Sequence, residues 1–428
     1  MICALMGCKR PILAVTGACA LSMSGVLAFA ARVSYNHGSR HMDTVSWFAS
    51  FVSSGGLGPS LSWNTQRRRL ARTTAGMSSA RDSESESESK RKKVVFLGTP
   101  DVAAISLDLL LQASREGGEG RGLFEIVRAV SNRPARAGRH QIMRRCPVHT
   151  LAEAEGIPVM TPSTARDEIF LAELEALQPD LCVTAAYGQF LPQRFLDIPK
   201  FGTLNVHPSL LPRYRGASPV QRCLEAGDKE TGVTVAFTVL KMDAGPIVRQ
   251  TVRPLDGSEK APELLRELFR EGTRDLIDCL PSVFDGTVKK TPQDDTAAGM
   301  AAKITVNEAR CCFKTSSAET IHNKVRAFAG WPGTWAMFMW GKDDKAVPQK
   351  VKLITTELGK PMTSPVGYEV VFRRDALELT CGDGSVVRVL EVQPTNKNVM
   401  SAKAFANGLR GAPLSWVELD TVEEAVAA

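Results

Sequence analysis

The sequence of 428 residues has few aromatic side chains and no cysteine pair of the kind that binds zinc. Aromatic residues make up 6% of the chain, only four of them are Tyr, and none of the ten Cys stands in a Cys-x-x-Cys spacing. The missing spacing argues against a structural zinc site, and cysteines scattered along so long a chain do not form the disulfide framework of a small secreted domain. We therefore predict reduced thiols and no metal.

Acidic residues are scarce only at the start of the chain. Residues 1–80 contain eight Lys or Arg and a single acid, Asp43. Without these, the totals of 53 Lys and Arg and 46 Asp and Glu leave 45 of each in residues 81–428. Because the body is neutral, a nucleic-acid partner would have to be held by a local basic patch and not by the field of the whole molecule.

The composition of residues 1–80 is typical of a targeting leader. Lys9 and Arg10 precede an uncharged stretch over 11–31, and residues 32–80 are rich in Ser, Arg and Gly, as transit peptides are. We predict import into an organelle, either a plastid reached through the secretory route or a mitochondrion. The alternative is a disordered or mistranslated extension, with Met42 or Met77 as the true start. Residues 81–92 are charged and of low complexity, which predicts a linker.

From Lys93 onward, apolar strand-like runs alternate with helical segments. This rhythm predicts an α/β fold, a doubly wound Rossmann-like parallel sheet, over residues 93–287. Residues 288–305 lack apolar periodicity and are predicted to be a linker. Short β-like runs over 306–418 predict a small OB-like β-barrel, with most of its aromatic side chains in the core. The predicted helices lie around 148–155, 169–177, 219–226 and 262–283, and the aromatic residues are Trp331, Trp335, Phe338 and Trp340.

Three polar residues are predicted to meet at one edge of this sheet. Asn205 and His207 are two apart at the end of a strand, so they project from one face, and Asp243 follows the strand TGVTVAFTVL in a Gly-Pro turn. Ligands of such sheets bind beyond the carboxyl ends of the strands. Asn supplies an amide donor for an oxygen that becomes negative, and Asp orients His and stabilises its charged form. The set suits attack on a carbonyl carbon, although each residue alone could be structural.

A second candidate site is the arginine-rich stretch between Arg128 and Arg145. It contains Gly, Pro and His140 but no acid, as expected of a mobile phosphate-binding segment. The alternative is an ordinary solvated surface. The six arginines are Arg128, Arg133, Arg136, Arg139, Arg144 and Arg145.

Four motifs in a fixed order, VVFLGTPDVAA, TAAYGQFLP, LNVHPSLLPRYRGASPVQ and MDAGPI, resemble the folate-dependent formyltransferases. The resemblance is closest to the members that act on methionyl-tRNA and covers roughly residues 93–410. It implies that Asn205, His207 and Asp243 are catalytic. It also implies that the arginine stretch and the C-terminal barrel bind tRNA. The implied folate contacts are Ser209, Leu210, Leu211, Pro212, Ala186, Tyr187, Gly188 and Leu191, and the implied tRNA contacts are Arg133, Arg136, Arg139, Arg144 and Arg145.

The activity implied by the resemblance is formyl transfer from 10-formyltetrahydrofolate to the α-amino group of initiator methionyl-tRNA, for translation initiation in an organelle. The enzyme is expected to be a monomer that uses no metal and, when mature, no membrane. One alternative is a formyltransferase or hydrolase that acts on a nucleotide, a sugar or free 10-formyltetrahydrofolate, but it would not need residues 306–418 or the arginine stretch. A non-enzymatic RNA-binding protein would not need the catalytic trio. A nicotinamide dehydrogenase would need the glycine fingerprint that is missing here.

Overall fold

A computed structural model of the protein describes residues 91–115, 122–137, 141–341, 346–360 and 367–418. The predicted leader, most of the first linker, Arg139 and His140 lie outside these residues. The N-terminal part contains β1 (Lys92–Gly98), α1 (Asp101–Arg115), β2 (Phe124–Val130), β3 (Ala135–Ala137), β4 (Ile142–Arg144), α2 (Pro147–Ala154), β5 (Val159–Met160), α3 (Glu168–Leu177), β6 (Leu181–Ala185), α4 (Gln193–Leu196), β7 (Thr203–His207), β8 (Arg215–Gly216), α5 (Pro219–Ala226), β9 (Glu230–Phe237), β10 (Ile247–Pro254) and α6 (Ala261–Asp285).

Seven of these strands form one sheet, in the order β10-β9-β7-β6-β1-β2-β5. The strands from β7 to β5 pair in parallel, and β9 runs antiparallel to both its neighbours. Along β1, Val94 and Phe96 pack into the core beneath α1 and α6, whereas Val95 and Leu97 pack into the core beneath α3 and α4. Because both faces are covered by helices, the predicted doubly wound sheet is confirmed, with one antiparallel strand added.

The four predicted helices are present as α2, α3, α5 and α6, with ends within two residues of the prediction. The predicted strand TGVTVAFTVL stops earlier, because β9 ends at Phe237 and the chain then turns toward the sheet edge. The carbonyl of Pro246 accepts a hydrogen bond from the Phe237 amide at 3.0 Å, which closes this turn.

The C-terminal part is a curled antiparallel half-barrel, consistent with the predicted OB-like domain. Its sheet has the order β14-β15-β16-β13-β12-β18, and β17 pairs with β16. Trp335 and Phe338 are buried as predicted, whereas Trp331 precedes the first strand and is 56% exposed. The elements are β11 (Met300–Ala301), α7 (Ala318–Ala327), β12 (Trp335–Trp340), β13 (Val347–Leu358), β14 (Val371–Arg373), β15 (Ala376–Thr380), β16 (Val386–Pro394), β17 (Met400–Ser401), α8 (Ala402–Gly408) and β18 (Leu414–Val417).

The segment predicted as the second linker lies against the N-terminal part. It contains a short 3-10 turn, Asp295–Ala297, and strand β11, which pairs in parallel with β8. Across the described residues, we find no helix with the length and apolar character needed to cross a membrane.

Candidate active site

A cleft of about 560 Å³ opens at the carboxyl ends of β6 and β7, beside the turn that follows β9. The side chains of Asn205, His207 and Asp243 all line it. The structure therefore brings together the three residues that the sequence separates by as many as 38 positions. This is the edge at which open α/β sheets bind their ligands.

Asn205 is oriented by a hydroxyl on the neighbouring strand. Thr184 of β6 lies beside Asn205 in the strand register, and its Oγ1 donates a hydrogen bond to Asn205 Oδ1 at 2.9 Å. Because the oxygen of the amide is the accepting atom, the Nδ2 group carries the two donors that remain. Among the described residues, no acceptor contacts Nδ2. The amide donors are thus available to a ligand in the cleft.

His207 is buried, and a backbone carbonyl determines which ring nitrogen carries a proton. Nε2 lies 2.9 Å from the Tyr214 carbonyl oxygen, which can only accept, so Nε2 must donate. The hydroxyl of Tyr214 in turn donates to Asp228 Oδ2 at 2.8 Å. With Nε2 occupied, Nδ1 is the ring atom that can act on a ligand.

The contact between His207 and Asp243 is looser than we expected from the sequence. Nδ1 lies 3.8 Å from Asp243 Oδ2, which is an electrostatic distance and not a hydrogen bond. The same Oδ2 accepts a hydrogen bond from the Gly216 amide at 2.8 Å instead. The carboxylate therefore acts on the imidazole through its charge, and a proton moving between them would need a bridging group.

The predicted wall, Ala186, Tyr187, Gly188 and Leu191, lines the cleft beside this trio. Ala186 and Gly188 both have positive φ angles, 46° and 78°, which turn the chain over the sheet edge. Burial raises the pKa of Tyr187 to about 12, and its hydroxyl has no hydrogen-bond partner among the described residues. A buried donor without a partner at the wall of a cleft points to a ligand that supplies one.

The predicted folate loop, Ser209 to Pro212, lies elsewhere. Ser209 is fully buried and donates to the Arg213 carbonyl at 2.8 Å, and Leu211 is buried with its amide donating to Thr234 Oγ1 at 3.2 Å. None of the four residues from Ser209 to Pro212 is among the described residues that line the cleft. The loop shapes the turn between His207 and Tyr214, and its contact with folate stays a prediction.

We call the segment 133–145 the arginine hairpin. β3 and β4 pair within it, with Arg136 opposite Met143 and Ala135 opposite Arg144, so Arg136 and Arg144 occupy opposite faces. Both arginines are exposed, and within the described ranges no carboxylate pairs with either. Arg133 donates to the Thr161 carbonyl, and Arg145 pairs with Glu153 at 2.9 Å. The remaining predicted contact, Arg139, lies outside the described residues.

Gln189, which lies in the motif TAAYGQFLP but is not among the predicted contacts, connects this hairpin to the cleft. Its Nε2 donates to Asn132 Oδ1 at 2.7 Å at the base of the hairpin, and its Oε1 accepts from the Ala165 amide at 2.8 Å. Gln189 also lines the cleft. The base of the arginine hairpin therefore lies at the edge of the cleft.

The cysteines offer no activated nucleophile at this site. Those in the described parts of the chain are free thiols, and burial raises the pKa of Cys223, the one that contacts Asp228, to about 11. The described residues contain no cluster of three or more His, Cys, Asp or Glu suited to a metal ion. The groups that the trio presents to the cleft, an amide donor, a ring nitrogen and a carboxylate, are of the kind that stabilise developing charge on a ligand.

Comparison with known proteins gives a consistent result. The family described as formyl transferase matches residues 92–279, and the formyl transferase C-terminal domain matches residues 303–410. The methionyl-tRNA formyltransferase of Macrococcus caseolyticus is 34% identical over 318 residues, which are 74% of this chain and 96% of that protein. That of Rhodococcus erythropolis is 36% identical over 318 residues, 74% of this chain and 97% of that protein.

Among solved structures, the chain is similar to an N-formyltransferase from Helicobacter canadensis, solved with folinic acid and dTDP-3-aminofucose. The TM-score is 0.50 at 18% identity, over 71% of this chain and 99% of that one. At this identity the likeness concerns the fold alone.

Proposed function

The chain belongs to the methionyl-tRNA formyltransferase family and is a transferase, and on this basis we propose that it moves the formyl group of 10-formyltetrahydrofolate to the α-amino group of methionyl-tRNA. The observation that carries the proposal is the trio in the cleft. Asn205 presents an amide donor held by Thr184 at 2.9 Å, beside the Nδ1 atom of His207 and the carboxylate of Asp243. These groups can stabilise the oxyanion that forms when an amine attacks an acyl carbon.

The cleft fits a folate in size and in the character of its walls. Its volume of about 560 Å³ falls in the range of small-molecule sites. Tyr187, Leu191 and Phe190 supply aromatic and aliphatic surface, as a flat heterocycle needs. The partnerless hydroxyls of Tyr187 and Thr238 can then bond with the polar edge of the ring.

In the proposed reaction the neutral amine attacks the formyl carbon, and a carbon–nitrogen bond forms as the carbonyl oxygen becomes negative. Asn205 Nδ2 donates to that oxygen. His207 can donate to it only through Nδ1, since Nε2 is bonded to Tyr214, so the imidazole must carry both protons. The Asp243 carboxylate, 3.8 Å away, stabilises that charged form. The proton lost by the amine passes through a bridging group to the folate nitrogen as its bond to carbon breaks.

The direct test is formylation by the full chain. The purified protein is incubated with 10-formyltetrahydrofolate and initiator tRNA charged with methionine, and formyl-methionine is measured after the tRNA is stripped. Two parallel reactions replace the charged tRNA with an amino-sugar nucleotide or with no acceptor. Formylation of the sugar, or release of formate without an acceptor, in place of formyl-methionine would favour the small-molecule transferase or hydrolase.

We expect the arginine hairpin to bind the tRNA phosphates. Changing Arg136 and Arg144 together to Ala removes two exposed charges from opposite faces of the hairpin. Because the body is neutral, we expect a higher KM for charged tRNA and a slope of log K against log salt reduced by about one for each lost phosphate contact. KM for the folate should stay unchanged. The measurement is steady-state kinetics at several salt concentrations.

The matched control changes Arg270 and Arg274, two exposed residues of α6, to Ala, which removes the same charge elsewhere. It should leave KM for tRNA and the salt slope as they are. Equal effects in both double variants would mean that the hairpin acts only through net charge. No effect in either double variant would mean that the hairpin is an ordinary solvated surface and does not bind tRNA.

We further propose that the protein acts as a monomer in an organelle, with residues 1–80 as the import signal and with initiator tRNA as substrate. The support for the import signal is the composition of that segment, with eight basic residues and one acid. Fused to a fluorescent protein, residues 1–80 should direct it into a mitochondrion or a plastid. Diffuse cytosolic fluorescence would contradict the import proposal and favour translation from Met42 or Met77.

A further inference from the structure

The segment between the two domains, residues 288–305, packs against β8 and against the turn that carries Asp243. β11 pairs with β8, and the Arg215 amide donates to the Gly299 carbonyl at 2.8 Å. Gly216 has a φ of 123°, and a Cβ placed there would lie 2.7 Å from the Ala301 carbonyl oxygen, so the two backbones are in contact. The amide of this same Gly216 holds the Asp243 carboxylate.

Gln293, from the same segment, holds the backbone of the turn that carries Asp243. Its Nε2 donates to the Asp243 carbonyl at 2.8 Å and to the Gly245 carbonyl at 2.7 Å. Asp243 has a φ of 48°, a left-handed conformation that has an energetic cost for a residue with a Cβ. Two hydrogen bonds to the turn offset such a cost, so Gln293 helps to keep Asp243 in this conformation.

Arg215 determines which way the Gln293 amide points. Its Nε and Nη2 both donate to Gln293 Oε1, at 3.0 and 2.7 Å, so the oxygen faces the guanidinium and the nitrogen faces the turn. Arg215 is 3% exposed, and its Nη1 pairs with Asp295 Oδ1 at 2.8 Å. All four hydrogen-bonding positions of the Gln293 amide are used, so the amide has one preferred orientation.

We propose that Gln293, oriented by Arg215, is a positioning residue for Asp243, and that the segment between the domains is therefore part of the active site. This inference rests on the proposed formyl transfer. Gln293 is not a catalytic residue, because its amide contacts the backbone of the turn and not the cleft. Its effect reaches the reaction through the place and orientation of the Asp243 carboxylate relative to His207.

The test changes Gln293 to Glu, which has the same shape, keeps a partner for Arg215 and loses both donors to the turn. Misplacement of a catalytic group by about 1 Å can cost a hundredfold, so we expect kcat to fall by about tenfold to a hundredfold. KM for both substrates should change by less than about threefold, because the walls of the cleft are untouched. Gln293→Met, which has no charge, should behave in the same way.

The matched control is Asp294→Asn in the same segment. Asp294 is exposed, and its Oδ1 accepts from the Thr296 amide at 2.9 Å without contact to the turn. This variant should retain wild-type kcat. If it loses as much activity as Gln293→Glu, the segment is merely sensitive to change and the inference is wrong.

A double-variant cycle separates positioning from loss of stability. In the Asp243→Asn background, Gln293→Glu should reduce kcat by no more than about twofold, because the residue through which it acts is already disabled. Additive losses would contradict the proposal. Urea unfolding of each variant shows whether the fold is retained.

A readout without activity keeps this test distinct from that of the proposed function. With glycine labelled by ¹⁵N, the Gly216 amide resonance should shift in Gln293→Glu and stay in place in Asp294→Asn. If the resonance shifts in Gln293→Glu but the wild-type protein formylates no methionyl-tRNA, the positioning role stands and the proposed function is overturned. An unchanged resonance with unchanged kcat would overturn the positioning role alone.

Discussion

Replacing Asn205 with Ala is expected to lower kcat by about a hundredfold to a thousandfold, since this is the usual cost of removing one donor from a site that stabilises an oxyanion. The donor is Asn205 Nδ2, for which no described residue supplies a hydrogen-bond acceptor. KM for the folate should change little, because the oxyanion exists only in the transition state. Steady-state kinetics with charged initiator tRNA measures both constants.

Thr184→Val serves as a graded companion to this variant. It keeps the shape of Thr184 but removes the hydroxyl that donates to Asn205 Oδ1 at 2.9 Å, so the amide is free to turn. We expect a loss of about tenfold, smaller than for Asn205→Ala because the donor is still present but less well oriented. An Asn205→Ala enzyme with nearly wild-type turnover would overturn the assignment of Asn205 as the oxyanion donor.

Replacing Asp243 with Asn is the second change with a large expected effect. It removes the negative charge 3.8 Å from His207 Nδ1 and keeps an oxygen for the Gly216 amide. With less support for a charged imidazole beside the oxyanion, kcat should fall by on the order of a hundredfold. The loss should appear at every pH at which the protein stays folded.

Circular dichroism and urea unfolding check that the Asp243→Asn protein keeps its fold. Asp228→Asn is an informative comparison, because Asp228 supports Tyr214 and reaches His207 only through the Tyr214 carbonyl. We expect it to have a smaller effect than Asp243→Asn. Should Asp243→Asn retain kcat within about threefold of wild type, the electrostatic coupling of Asp243 to His207 would not contribute to the reaction.

Local patterns in the sequence were enough to predict the type and position of most elements. Helix α5 has the predicted bounds, because an amphipathic period is a property of consecutive residues. The same is true of Asn205 and His207, whose spacing of two on one strand places them on one face. The motif order was sufficient to indicate the family, and the composition of residues 1–80 to suggest a leader.

Contacts between segments that are distant in the chain were decided only by the tertiary structure. The approach of Gln293 to Asp243, 50 positions away, and of Thr184 to Asn205, 21 positions away, depends on strand register and on the path of a segment without periodicity. His207 and Asp243 stay 3.8 Å apart because the Gly216 amide competes for the Asp243 carboxylate. Ser209 is buried where its carbonyl accepts a hydrogen bond from Thr234 of the neighbouring strand. A hydrogen bond depends on tenths of an ångström and on angle, and consecutive residues do not determine either between distant segments.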